Sequence, residues 1–103
     1  MNEHNKEFED IGKKVIIRTF SAGVHYGKLI RKEGTECRLS NAIRIWYWAG
    51  ACSLSQLAME GTKEPDECKF AVPVDFITLQ WIEIIPCTSE SQTSIENVKT
   101  WKR

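Results

Sequence analysis

The chain is short of the residues that carry acid–base, redox and metal chemistry. Its 103 residues include only two histidines, His4 and His25, and His4 falls in a polar amino-terminal stretch. There is no Walker phosphate loop and no His-Glu metal motif. The four cysteines, Cys37, Cys52, Cys68 and Cys87, are spread evenly, without the close pairing of a zinc or dithiol motif. A Cys–His nucleophile would need His25 beside one of those thiols, and no local signature places it there. Catalysis, a bound metal and a cofactor are therefore not expected. No apolar run approaches the roughly 18 residues that span a bilayer. Residues 1–10 are polar and acidic, unlike the cationic start and apolar core of a secretory signal. The expectation is a protein of the cytoplasm, with no membrane partner and with reduced thiols that are buried or half-buried.

A chain of this length builds one small domain, near the size at which core burial alone is marginal and oligomerisation helps. Residues 1–12 read as a flexible polar arm and residues 13–103 as the domain. The net charge is zero, which argues against coating a long nucleic acid through many phosphates. Charge is nevertheless divided along the chain. From Lys13 to Arg44 there are eight basic residues and two acidic ones, whereas from Glu60 to Glu90 there are seven acidic and two basic. The basic half can offer a local surface to a small anion.

The pattern predicts an α+β domain, an antiparallel meander with two helices. Residues 15–20 and 24–31 read as strands, broken by Ser21-Ala22-Gly23. Glu33-Gly34 signals a tight turn, after which residues 35–39 return as a hairpin partner. Ser40-Asn41 is expected to bend the chain before a separate strand over 43–48. Ser53 with Gln56 forms a capping box for a helix that ends at Gly61. Residues 62–69 read as a charged loop. Residues 72–79, broken by Pro73, read as an edge strand or extended segment, and 81–85 as a strand ended by Pro86. Ser89 with Gln92 caps a second helix expected to run to Trp101, with Ile95, Val98 and Trp101 along one stripe.

Two stretches stand out as candidate binding elements. In Arg18-Thr19-Phe20-Ser21-Ala22-Gly23-Val24-His25-Tyr26-Gly27, a small-residue turn lies between a cation and an imidazole. Backbone N–H groups in such a turn can approach an anion closely, with Arg18 and His25 as further donors. The alternative is a plain turn with His25 packed on the sheet. In Asn41-Ala42-Ile43-Arg44-Ile45-Trp46-Tyr47-Trp48, alternation puts Arg44, Trp46 and Trp48 on one face and Ile43, Ile45 and Tyr47 on the other. A guanidinium beside indoles can hold a phosphate and stack on a base. Packing of the indoles in a core or subunit interface is the competing reading. Asn41 can bond a base edge or simply shape the turn. Trp101, Lys102 and Arg103 form a third candidate, an aromatic with two cations that closes a pocket or frays at the chain end.

The run Ile17–His25 and the run Ala42–Ala51 resemble a family of small phage-encoded proteins, the first-described anti-Thoeris sponges, whose setting is the cytoplasm of the host cell. The similarity continues through Ser53-Leu54-Ser55-Gln56-Leu57 and Ile82-Glu83-Ile84-Ile85-Pro86, and covers residues 15–101. The resemblance implies a non-enzymatic protein that sequesters cyclic ADP-ribose isomers made by bacterial TIR-domain enzymes, without degrading them. It further implies assembly as dimers or hexamers and, in some members, a separate site for cyclic oligonucleotides. Carried over by motif, Arg18, Ser21, Ala22, Gly23, Val24 and His25 would form one phosphate site. Arg44, Trp46 and Trp48 would form the second. Residues 1–10 lie outside the resemblance. Three other readings of the same residues are a single-stranded nucleic-acid binder, a protein-interaction module built on the tryptophans and a cyclic-nucleotide hydrolase.

Overall fold

Side chains alternate from the first strand onward. In β1 (Lys14–Arg18), Ile16 joins one buried apolar cluster, and its neighbours Val15 and Ile17 join another. That period-two division places β1 between two cores. The computed structural model describes residues 9–102. In chain order, β1 is followed by β2 (Val24–Glu33), β3 (Glu36–Tyr47), α1 (Leu54–Glu60), β4 (Lys69–Phe70), β5 (Val74–Gln80), β6 (Glu83–Pro86) and α2 (Ser89–Glu96). The architecture is α+β: a six-stranded antiparallel sheet and two α-helices. Along the sheet, β6 pairs β1, β1 pairs β2 and β2 pairs β3. The long β3 then pairs β5 through its first half and β4 through its second.

The sheet must curl. β5 and β6 lie at opposite ends of the path β5–β3–β2–β1–β6, yet only Trp81 and Ile82 join them in sequence. So short a link holds the two ends close together, as in a half-closed barrel. Inside the curl lie Val15, Ile17, Leu29, Cys37, Leu39, Ala42 and Leu79, with Ile77 and Ile84 packed against them. On the outer face, Ile16, Tyr26, Ile45 and Phe70 pack under Leu57 and Ala58 of α1 and Ile95 of α2.

Several boundaries differ from the sequence expectation. The predicted bend at Ser40-Asn41 does not divide two strands; β3 runs through it as one 12-residue strand. Asn41 takes φ +49°, and Ser40 pairs Lys28 while Ile43 pairs Tyr26, so β3 carries an extra residue there. Asparagine tolerates the left-handed region, so the chain absorbs a bulge instead of breaking. Residues 62–69 are not all loop. Pro65–Glu67 forms a 3-10 turn and Lys69 opens β4. The second helix stops at Glu96, well short of Trp101. Thr100 bridges Phe70, and the Trp101 N–H donates to the Phe70 carbonyl. The α2 cap is Thr88, whose hydroxyl accepts from the Ser91 N–H, and not Ser89.

The α1 cap is half of the expected box: the Ser53 hydroxyl accepts from the Gln56 N–H and Gly61 stands at the end, but the Gln56 side-chain oxygen accepts from the Cys52 N–H and not from that of Ser53. All four cysteines are unpaired thiols; Cys37 and Cys68 are buried, Cys87 is half-buried and Cys52 is exposed. At the amino end, Gly12 donates to the Leu29 carbonyl and Leu29 to the Lys13 carbonyl, which ties this part of the chain to β2. His4, the first eight residues of the acidic arm and Arg103 lie outside the described residues.

Candidate functional site

Antiparallel pairing of β2 with β3 sets Val24 opposite Ile45 and His25 opposite Arg44. The two motifs, read from sequence as separate sites, therefore meet. They join at one atom, the Ala22 carbonyl oxygen. His25 Nε2 lies 2.7 Å from it, and Arg44 Nη1 donates to it at 3.0 Å. The turn that presents this oxygen is held by Thr19. Its N–H and its hydroxyl both donate to the Gly23 carbonyl, and its hydroxyl oxygen accepts from the Ala22 N–H. Gly23 sits at φ +83°, a conformation that favours glycine, and a Cβ there would stand 3.9 Å from Arg44 Nη1. The small residues thus bring the turn against the guanidinium, and the Ala22 N–H is already spent within the turn.

Arg44 is exposed. Among the described residues its guanidinium makes that one hydrogen bond and no ion pair, which leaves its remaining N–H groups open to a ligand. Trp46, two residues on, is 62% exposed. It stacks on Trp101 with ring centroids 5.3 Å apart and planes within 17°. Lys69 Nζ caps the pair, 5.6 Å from the Trp46 ring and 5.5 Å from the Trp101 ring. The result is a flat aromatic surface with a cation over it and a second cation along the same strand. Such a surface can take a planar ring by stacking and an anion by charge-assisted hydrogen bonds.

Trp48 does not share that face. Pairing of Ile45 with Phe70 and of Tyr47 with Lys69 leaves Trp46 as an extra residue of β3, a second bulge. The bulge reverses the alternation, so Trp48 turns inward and packs against the helix-side core with Ala51 and Leu54. Arg18 is also engaged elsewhere, its Nε donating to Glu83 at 2.8 Å across β1 and β6. Ser21 is exposed in the turn and Val24 packs partly against the helix-side core.

Asn41 borders a different cleft, of about 340 Å3, lined also by Lys14, Tyr26, Gly27, Lys28 and Glu96. Much of its polar lining is satisfied internally, because Lys14 and the Tyr26 hydroxyl both donate to Glu96 at 2.6 Å. Partial burial works against the Glu96 charge, but these two donors outweigh it and hold its pKa below the usual value. Burial, reinforced by the bond to Glu96, pushes the Tyr26 phenol far above its ordinary value. Lys14 and Glu96 neutralise each other there, which leaves Lys28, among the described residues, as the one uncompensated charge of the cleft lining.

His25 is fully buried. Burial disfavours its charged form and lowers its pKa below 6.5; the bond to Ala22 opposes this and the Arg44 charge adds to it. The ring is therefore neutral near pH 7. Lys69 was not legible as a site residue, because it closes a charged segment. The signal for it is the alternation of buried Cys68, half-exposed Lys69 and buried Phe70.

No curated protein and no solved structure matches the chain. A family model described as a domain of unknown function, DUF6948, matches residues 12–95 and so takes in His25, Arg44, Trp46 and Lys69 but not Trp101. The chain belongs to the DUF6948 family.

Proposed function

We propose that this protein binds and sequesters a cyclic nucleotide signal of the cyclic ADP-ribose class and releases it unchanged, as the resemblance to phage anti-Thoeris sponges implies. The observation that carries the reading is Arg44, held by the Ala22 carbonyl with its other N–H groups open, on the same strand as the Trp46–Trp101 stack under Lys69. The guanidinium and Lys69 take the phosphates, and the indoles stack on the base. Assembly into dimers or hexamers belongs to the same proposal, and a native mass spectrum counts the subunits.

Quenching of tryptophan fluorescence by cyclic ADP-ribose tests it. Base stacking is worth about 1–3 kcal/mol, so Trp101→Ala should weaken binding by roughly tenfold or more. Arg44→Ala should do the same through the lost phosphate contact. Wild-type affinity in both variants would place the ligand elsewhere. A second reading, a protein-interaction module, draws on the exposed Phe20, Val72, Val74 and Phe76, the last two on β5, which pairs only β3 among the described residues. On that reading Arg44→Ala weakens a pull-down and the wild type takes up no nucleotide.

A further inference from the structure

A recess of about 90 Å3 opens beside Arg44, walled by Ala42, Val72, Val74 and Ile77 and lined also by the His25 ring. The Ala22 carbonyl oxygen can only accept, so His25 Nε2 must carry the ring proton and Nδ1 must present a lone pair. That lone pair has no hydrogen-bond partner and is shielded from solvent. Buried polar atoms in native proteins are nearly always paired, so an orphaned acceptor next to an open cation asks for a donor.

We propose that the recess is a hydroxyl-reading subsite: a sugar hydroxyl of the bound nucleotide donates to His25 Nδ1 while a phosphate of the same ligand pairs with the open N–H groups of Arg44. This rests on the nucleotide reading above. Three features of the recess select that group. A lone pair rejects phosphate oxygens and carboxylates, which are acceptors too, so the anion stays at Arg44. The recess is small but has room for a carbon bearing a hydroxyl. Finally, His25 and Arg44 share one carbonyl, so the donor and the anion must be neighbours on the ligand, as they are in a ribose phosphate. Val72 and Val74, which wall the recess, are themselves about half exposed. Nδ1 itself is closed to solvent, so the hydroxyl reaches it only as these two side chains give way.

The test uses full-length protein with 15N-labelled histidine and cyclic ADP-ribose as the probe. Binding, read independently by tryptophan quenching, should move the His25 Nδ1 resonance from that of a free lone pair to that of a hydrogen-bonded one. His25→Phe keeps a ring in the core but removes both ring nitrogens, while Arg44 still donates to the Ala22 carbonyl. It should weaken cyclic ADP-ribose roughly tenfold, the scale of one buried hydrogen bond, with a melting curve confirming that it folds. If the probe binds and Nδ1 does not move, the subsite is wrong and the nucleotide reading stands. If Nδ1 is already hydrogen-bonded before the probe is added, the recess holds water only and the subsite is again wrong. If the probe does not bind at all, both fall.

Discussion

At the scale of single residues, His25 couples the site to stability. Its pKa is lowered in the fold, chiefly by burial, while in the unfolded chain it titrates near its ordinary 6.5. Between those two values the unfolded state binds more protons. Its contribution is therefore complete above 6.5 and is lost as the pH falls through the window below. Thermal melts from about pH 8 down to about pH 5.5 should show this loss in the wild type and a flatter profile in His25→Phe. Equal slopes would mean that another group governs the window. Gly61 makes a second residue-scale case. It sits at φ +77°, and a Cβ there would overlap the Ser94 side chain. Gly61→Ala should cost more than about 1 kcal/mol in a urea titration, because backbone strain and overlap add.

At the scale of elements, β3 decides which side chains reach the site. Its two bulges, at Asn41 and Trp46, each reverse the alternation. The first leaves Arg44 on the face that holds Cys37, Leu39 and Ala42, and the second sends Trp48 into the helix-side core. Asn41→Gly should be nearly neutral, whereas Asn41→Val should lose about 1–2 kcal/mol, since a branched residue resists φ +49°. Denaturant midpoints of the two variants check the difference.

The same bulges explain what the sequence could not disclose. The β-branched runs, the Gly34 turn and the Ser53 cap are local signals, and they located β1, β2, the hairpin and α1. A bulge is a property of pairing, so strict alternation wrongly put Trp48 beside Arg44. The early end of α2 has the same cause, because the partners of Trp101 are Phe70 and Trp46, distant in sequence. The meeting of the two motifs also depends on register: His25 opposite Arg44 cannot be read from either stretch alone.

At the scale of the whole molecule, a small chain divides its apolar residues between two cores on the two faces of one curled sheet. Glu96 helps to join the layers, linking the end of α2 to β1 through Lys14 and to β2 through Tyr26. Tyr26→Phe should lower global stability by about 1–2 kcal/mol, one hydrogen bond to a charged group, in equilibrium unfolding. Sequestration is a claim about the whole molecule too: tight uptake with no chemistry. The most direct measurement is to incubate the protein with cyclic ADP-ribose, separate the complex from free ligand, heat-denature it and analyse what is released. Sequestration predicts depletion of the free ligand and recovery of intact cyclic ADP-ribose. Recovery of linear or cleaved product, or no depletion at all, would contradict it.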